Sequence, residues 1–421
     1  MPLTRHLLAV ATLSCLPLSA VAASSAVFLH PDGMGANTWM AVRMHQVGPD
    51  GRLAWDRLPA AAVYVGPVRD RITASSNAGA TSHAWGVRVD KDSYGWMDGA
   101  RLPRAASGAD APLMVEALRA GKRVGIVNSS GVTEPGTGAF LASVADRDDE
   151  TSIAAQIMAS GAHVILGGGE RFFLPEGVRG AHGEGVRTDG RNLVEEARAA
   201  GYAVVHTRAE LQALATDVDR VLGLFASDET FNEGTEAALA ASGHPVFQPQ
   251  APRFDEMVDV AMRILSRAPD GYLLVGNEEA TDNFGGENHA SALMEAGAGA
   301  DRAIAVVERY AARDPGLTVV VASDSDCGGM TVHGDGIEVG GAVPASMPNG
   351  SPVDGEDGAP FLAAADAQGR RLPFVVTWSA EGDVSGGVVA RASGPGAERV
   401  QGTVDSTDIY RALHLGLFGQ R

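Results

Sequence analysis

Short apolar runs that alternate with longer amphipathic stretches constrain the fold of this 421-residue chain more than any other feature of its sequence. The apolar runs are near-continuous, as in strands covered on both faces, and the longer stretches have helical periodicity. The strand-like runs fall at 124–127, 164–166, 221–224, 272–275, 318–321 and 374–376, and the helical stretches at 111–120, 192–200, 254–267, 289–313 and 406–417. This alternation predicts an α/β fold in which a central, mostly parallel sheet is flanked by helices on both faces.

The first 22 residues have the three parts of a secretory signal. Arg5 and His6 form the polar start, an apolar run covers 7–18, and small residues at 20–22 form the cleavage site. The apolar run is too short to span a membrane, and no later stretch approaches the roughly 18 apolar residues that a spanning helix needs. The sequence therefore predicts a protein that is exported to the periplasm or secreted, with no membrane span.

Residues 23–421 are predicted to form one domain with a large core, because doubly wound folds of this size often remain a single unit. The stretch 334–358 is rich in glycine, proline and acid, which predicts a surface insertion with little structure of its own. Once the signal is removed, Cys327 is the single cysteine and an internal disulfide is impossible. Cys327 is interpreted as an inert buried thiol with no functional role.

The charge of the chain limits what it can bind. Its 52 acidic and 33 basic residues give a formal net charge of −19. Such a surface repels nucleic acid and anionic lipid, so neither is an expected partner. It would also repel a phosphate-bearing substrate, unless bound cations reverse the sign of the charge locally.

Acidic residues follow three of the predicted strands at the point where each strand ends. Asp32 follows a further short apolar run at 27–29, the run Asn277, Glu278, Glu279 after 272–275 leads to Asp282, and Asp324 follows the run at 318–321. Open α/β sheets bind ligands beyond the carboxyl ends of their strands, so these side chains are expected at one edge of the sheet. Three separate acids there are hard to explain as solvated loops. They predict a metal site.

Ser76 opens a stretch of small residues, 74–86, that is predicted to be a helix. A serine at a helix N-terminus lies beside unpaired backbone N–H groups and the positive end of the helix dipole. Both features favour a developing alkoxide and an attached phosphoryl group. A plain N-cap serine is the alternative for an isolated motif of this kind.

These motifs, in this order, resemble the alkaline phosphatase family. The similarity spans essentially all of 23–421, which implies one catalytic domain with that family's fold. The further matching segments are 32–35, 134–147, 166–169, 188–193, 223–225, 271–282 and 394–397. The resemblance implies that Ser76 attacks phosphorus and is phosphorylated, and that Arg147 clamps two phosphate oxygens. It also implies that Asp32 is shared between two metals, that Glu134 occupies a metal-ligand position, and that the protein is a homodimer.

The chain departs from the family at the zinc histidines. Their three positions hold Ser325, Gly286 and Asp383, while a hydroxyl ligand is replaced by Gly136 and a glutamate by Asn277. The expected site is therefore almost entirely lined by oxygen. The family uses Mg²⁺ and Zn²⁺, but oxygen ligands make Mg²⁺, Ca²⁺ or Mn²⁺ plausible in place of Zn²⁺.

The expected ligand groups follow from these positions. One metal is expected near Asp32, Asp324 and Ser325, and a second near Asp282 and Asp383. A third is expected near Glu134 and either Asn277 or Glu278. His289, seven residues after Asp282, is a further candidate that could substitute for a missing histidine by reaching back.

The sequence thus predicts a metal-dependent phosphomonoester hydrolase with a phosphoserine intermediate, acting on small phosphate esters outside the cytoplasm. Retention of both Ser76 and Arg147 favours catalysis over a decayed site. Two alternatives stay open: a phosphodiesterase of the same superfamily, and a non-catalytic exported protein that binds metal or phosphate. A sulfatase is disfavoured, because the Cys/Ser-x-Pro-x-Arg type of signature is absent around Ser76.

Overall fold

The computed structural model describes residues 24–97 and 102–419, so the predicted secretory signal lies outside the described residues. The strands are β1 (Ser25–Pro31), β2 (Ala60–Val65), β3 (Arg123–Gly131), β4 (Val164–Gly168), β5 (Ala203–Val205), β6 (Val221–Leu224), β7 (Tyr272–Glu278), β8 (Leu317–Val321), β9 (Asp326–Cys327), β10 (Thr331–His333), β11 (Val353–Asp354), β12 (Phe361–Leu362), β13 (Pro373–Thr377), β14 (Asp383–Val384), β15 (Val389–Ser393) and β16 (Gly402–Asp405).

The helices lie mostly between these strands, as the alternating pattern predicts. They are α1 (Ala36–Val47), α2 (Ser76–Trp85), α3 (Leu113–Arg119), α4 (Pro135–Gly138), α5 (Glu150–Ser160), α6 (Leu193–Ala199), α7 (Arg208–Gln212), α8 (Glu236–Ser242), α9 (Phe254–Leu265), α10 (Ala280–Gly286), α11 (Ala290–Ala311) and α12 (Ser406–Phe418). Within the described ranges, no helix is both long enough and apolar enough to cross a membrane.

A ten-stranded sheet forms the centre, in the order β16-β2-β15-β8-β1-β7-β3-β4-β6-β5. Its strands run parallel, except that β15 is antiparallel to its two neighbours, β2 and β8. The predicted α/β fold with a mostly parallel sheet is confirmed. The strand-like run 374–376 is the exception. It lies in β13, which pairs antiparallel with β10, β11 and β12 in a separate small sheet. A three-residue apolar run carries no information about which sheet it joins.

The core has two halves, one on each face of the central sheet. Side chains alternate along β1, so Val27 and Leu29 face one half while Ala26 and Phe28 face the other. The first half is covered by α1, α9 and α11, and the second by α2, α3, α5 and α12. The predicted insertion at 334–358 contains the two-residue strand β11, and its role as a surface insertion stays a prediction.

The central strands bring distant parts of the chain to one edge of the sheet. β1 lies between β8 and β7, with His30 opposite Asn277 and Leu29 opposite Val321. The residues that follow these three strands therefore meet beyond the carboxyl edge. A two-stranded ladder of β9 and β14, in which Asp383 pairs with Cys327, adds a fourth segment to the same region.

Candidate active site

The first ligand group consists of His30, Asp32 and Asp324, each of which offers one ligand atom within 4.8 Å of the others. His30 Nε2 lies 3.5 Å from Asp32 Oδ1 and 3.7 Å from Asp324 Oδ1. All three residues are buried, and both ring nitrogens of His30 and both carboxylate oxygens of Asp324 lack a hydrogen-bond partner among the described residues. Burying such polar atoms without partners costs several kcal/mol, so the group is built for a ligand.

The second ligand group consists of Asp282, Cys327 and Asp383, again with ligand atoms within 4.8 Å of one another. Asp282 lies in the first turn of α10, while the β9–β14 ladder holds Cys327 opposite Asp383. The Ser325 hydroxyl donates a hydrogen bond of 2.5 Å to Asp383 Oδ1. Ser325 therefore positions a carboxylate of this second group, in addition to lying next to Asp324 in sequence.

Gly33 lets these two groups approach each other. Its φ of +63° is in the left-handed region that favours glycine. A Cβ at this position would come within 2.6 Å of both Asp282 Oδ1 and the Cβ of Cys327. The Asp-Gly turn after β1 is thus required by the packing of the site as well as by its backbone conformation.

Ser76, the predicted nucleophile, is the first residue of α2 and is half-buried. The preceding residue, Ser75, is the N-cap and accepts a hydrogen bond from the Ala78 amide. Gly79, one turn after Ser76 on the same face of the helix, packs so closely on Asp324 that a Cβ there would overlap the carboxylate. The N-terminus of α2 therefore lies against the first ligand group.

A third cluster contains Glu134, Arg147, Asn277 and Glu279. Arg147 Nη2 lies 2.9 Å from Glu134 Oε2, and the Arg147 side chain keeps 43% of its surface exposed. The Asn277 amide donates a hydrogen bond to the Glu279 carboxylate, and Gly136 packs directly on Asn277. Arg147 thus faces solvent at the rim of an acidic cluster, where a phosphate group could reach it.

The negative charges of the acids in the site repel one another. Burial raises the pKa of Asp32 well above its ordinary value, and the charges of Asp324, Glu279 and Asp282 add to this effect. Burial and the neighbouring charges of Asp383 and Asp324 likewise raise the pKa of Asp282. So many acids in one region can all be ionised only if cations balance their charge.

The pKa values of two further acids, Asp383 and Glu229, are also raised, whereas that of Asp324 is lowered. Burial and then the charge of Asp324 raise the pKa of Asp383 to about 6. Burial and the charge of Glu233 raise the pKa of Glu229 to about 8. Burial would also raise the pKa of Asp324, but the adjacent His30 ring outweighs it and lowers that pKa to about 2. Asp324 is thus the acid that the protein itself holds ionised.

Two predicted ligands lie elsewhere. Side chains alternate along β7, so Glu278 points to the opposite face from Asn277, towards α9 and α11 and the charges of Arg253 and Arg302. His289 caps the start of α11, where its Nδ1 lies 3.1 Å from the Gly234 carbonyl oxygen and its ring packs edge-on against Phe284. The structure does not bring either side chain to the two ligand groups.

Three residues of the site were missed as ligands by sequence reasoning. Glu279 lies beside Asn277, and His30 lies on the same face of the chain as Asp32, two residues before it. The two-residue period of a strand could have indicated His30 from Asp32, whereas Glu279 lies beyond the end of β7, where that period no longer applies. Cys327 was interpreted as an inert buried thiol, because its contact with Asp383 depends on the β9–β14 pairing, which no local pattern reveals.

Comparisons with known proteins identify a family for most of the chain. A family model described as alkaline phosphatase matches residues 23–417. A membrane-bound alkaline phosphatase of Bombyx mori is 29% identical over 71% of this chain, which spans 60% of that protein's length. A streptomycin-6-phosphate phosphatase of Streptomyces griseus is 28% identical, covering 94% of this chain and 90% of that protein.

Solved structures share the fold. The alkaline phosphatase of Thermus thermophilus superposes with a TM-score of 0.73 at 22% identity, covering 95% of this chain and 92% of that one. The enzyme from the Antarctic bacterium TAB5 gives a TM-score of 0.70 at 17% identity, covering 95% of this chain and 100% of that one. The predicted family fold is confirmed by these superpositions.

The raised pKa values predict how stability depends on pH. An acid with a pKa that is higher in the folded state contributes stability below its unfolded pKa, and loses it as the pH rises through the folded pKa. With Asp383 at about 6 and Glu229 at about 8, the metal-free protein should lose stability between about pH 4 and pH 8. The lowered pKa of Asp324 acts in the opposite direction, but only below about pH 4.

Divalent cations should offset this loss, because they balance the charge that protons balance at low pH. We expect the rise in Tm on adding saturating Zn²⁺ or Mg²⁺ to be larger at about pH 8 than at about pH 5. Scanning fluorimetry of chelator-treated protein measures this difference. An equal rise at both pH values would contradict the assignment of these acids to a cation site.

Proposed function

The chain belongs to the alkaline phosphatase family, and we propose that it is a metal-dependent phosphomonoesterase with Ser76 as its nucleophile. One observation carries the proposal. Asp32, Asp282 and Asp324, which follow three different strands, lie close to one another, and Asp324 packs against Gly79 of the helix that begins with Ser76. A binding surface for uncharged or anionic ligands would have no use for buried acids that repel one another.

The donor atoms of this region fit divalent cations. His30, Asp32 and Asp324 would hold one ion, and Asp282 and Asp383 a second. Glu134, Asn277 and Glu279 would form a third position nearby. When bound, such ions lower the pKa of a serine hydroxyl and neutralise charge on phosphate oxygens.

Ser76 would act in two steps. Its hydroxyl oxygen, deprotonated as it attacks, forms a bond to phosphorus while the bond from phosphorus to the substrate alcohol breaks, and the alcohol leaves with a proton. Water then attacks the phosphoserine, which releases inorganic phosphate and restores the hydroxyl. The backbone N–H groups in the first turn of α2, which begins at Ser76, would stabilise the negative oxygens of the transferring group.

Arg147 would hold the substrate phosphate through two parallel N–H···O bonds. In the absence of substrate it pairs with Glu134, 2.9 Å away, which keeps the guanidinium at the rim of the site. The site therefore exchanges one charged partner of Arg147 for another when phosphate binds. The pairing also prevents Glu134 from adding an unbalanced negative charge where an anionic substrate must enter.

The substrates we propose are small phosphate monoesters outside the cytoplasm, in keeping with the predicted secretory signal at 1–22. The homodimer implied by the family resemblance stays a prediction. A mixed oxygen, nitrogen and sulfur donor set makes Zn²⁺ a more suitable ion than the oxygen-only interpretation of the sequence indicates.

Replacing the nucleophile tests the proposal. Ser76→Ala should lower kcat for p-nitrophenyl phosphate by roughly 10³-fold or more, because it removes the hydroxyl that is proposed to form the covalent intermediate. Metal content by elemental analysis should be unchanged. Ser82→Ala is the matched control, since Ser82 lies on the same helix and its hydroxyl donates to the Ala78 carbonyl oxygen.

Three outcomes distinguish the alternatives. Wild-type turnover by Ser76→Ala would overturn the nucleophile. Binding of metal without hydrolysis of any ester would identify a non-catalytic binding protein. Faster hydrolysis of bis-p-nitrophenyl phosphate than of the monoester would identify a phosphodiesterase.

Removing the phosphate clamp gives a second test. Arg147→Ala should weaken competitive inhibition by inorganic phosphate by about tenfold or more, which corresponds to about 1.4 kcal/mol of binding free energy. Arg198→Ala is a suitable control, because the Arg198 side chain is exposed to a similar extent, 45% against 43% for Arg147. It pairs with Glu195 on its own helix, α6, which contributes no residue to the site. Unchanged inhibition by phosphate in Arg147→Ala would contradict the assigned role.

A further inference from the structure

We propose that Cys327 and His30 are direct metal ligands that take the place of the absent zinc histidines. The inference rests on the proposed function, since it concerns the ions of the same site. It assigns one centre to His30, Asp32 and Asp324, and the other to Asp282, Cys327 and Asp383. It also assigns the class of ion: a borderline-soft transition metal such as Zn²⁺ or Co²⁺, in preference to Mg²⁺ or Ca²⁺.

His30 has the position and the free atoms that a ligand needs. Its ring is fully buried, and Nε2 lies 3.5 Å and 3.7 Å from carboxylate oxygens of Asp32 and Asp324. Neither ring nitrogen has a hydrogen-bond partner within the described part of the chain. A buried histidine kept for structure alone is expected to make a hydrogen bond at ordinary distance, as Nε2 of His83 does with the Tyr64 hydroxyl at 2.8 Å.

The neighbours of His30 fix its orientation. The ring stacks on Phe28 at 5.6 Å between centroids and meets the edge of the His83 ring at 5.3 Å. The packing thus holds the His30 ring against the carboxylates of Asp32 and Asp324, and neither ring nitrogen makes a hydrogen bond to the described residues.

Cys327 is placed just as specifically. Its backbone pairs with Asp383 in the β9–β14 ladder, and its amide donates to the Gly33 carbonyl oxygen at 2.8 Å. Its sulfur lies within 4.8 Å of a carboxylate oxygen of both Asp282 and Asp383. Asp282 Oδ1 is buried and has no hydrogen-bond partner among the residues described. An inert thiol would lie among apolar atoms, whereas this one faces two acids.

The chemical types of the ligand atoms then determine which metal ion the two centres prefer. Thiolate and imidazole ligands favour Zn²⁺ and its neighbours in the transition series, whereas Mg²⁺ and Ca²⁺ bind oxygen and disfavour sulfur. Cys327 would take over a role for which the resemblance implies a histidine, since the positions it implies for the zinc histidines hold Gly286, Ser325 and Asp383. The nitrogen donor His30 and the sulfur donor Cys327 come from parts of the chain other than those three positions.

Absorption spectroscopy of the Co²⁺-loaded mature protein tests the inference directly. After chelation, titration with Co²⁺ should give a sulfur-to-metal charge-transfer band in the near ultraviolet, which can come only from Cys327, the single cysteine after residue 15. Cys327→Ser should abolish the band and weaken Zn²⁺ binding by about 100-fold at one site, while Mg²⁺ binding changes little. Circular dichroism checks that the variant is folded.

A histidine pair provides the matched control. His30→Gln should lose one bound Zn²⁺ per chain but keep the Cys327 band, because the two centres have separate ligands. His289→Gln should keep both ions, since His289 is also buried but lies against Phe284 and the Gly234 carbonyl. Loss of an ion in His289→Gln with none lost in His30→Gln would overturn the assignment of His30.

The outcomes separate this inference from the proposed function. Hydrolysis of p-nitrophenyl phosphate by a protein that shows no charge-transfer band would overturn the thiolate ligand and leave the phosphatase intact. A band that depends on Cys327 in a protein that hydrolyses no ester would uphold the ligand and overturn the enzyme. An unchanged Zn²⁺ affinity in folded Cys327→Ser would also overturn the inference.

Discussion

The mutual repulsion of buried carboxylates at the ends of β1, β7 and β8 is the constraint on which the rest of the site depends. Asp32, Asp282 and Asp324 lie close enough for their charges to raise the pKa of Asp32, and each has at least one buried oxygen without a hydrogen bond in the described chain. Only bound cations or protons can balance such a cluster. Protons suffice at low pH, and divalent ions are needed in the alkaline range.

Several features of the fold keep the cluster close in spite of this repulsion. A parallel sheet fixes the three strand ends side by side, and Gly33 and Gly79 remove the side chains that would separate the segments carrying the acids. The Ser325 hydroxyl holds Asp383 by a hydrogen bond. Because Gly79 has no side chain, Asp324 packs directly against α2. The N-terminus of this helix, with Ser76, therefore lies close to the acids. Nucleophile and metal ligands are thus positioned by one packing arrangement.

Much of this could be predicted from sequence, because strand ends in a parallel sheet must meet at one edge. That rule alone connects Asp32, Asp282 and Asp324. It does not say which side chain of an acidic run points inwards, so Asn277 and Glu278 were both candidates, whereas the structure places Asn277 beside Glu279 and turns Glu278 to the opposite face. Nor could it find Cys327, because that contact needs the pairing of two very short strands, β9 and β14.

Anomalous X-ray diffraction from crystals grown with Zn²⁺ tests the central claim most directly. The claim predicts two strong anomalous peaks, one between Asp32 and Asp324 and one between Asp282 and Asp383, each about 2.0–2.3 Å from its ligand atoms. Crystals of an active enzyme in which these acids are well ordered, yet no anomalous density lies between them, would contradict it.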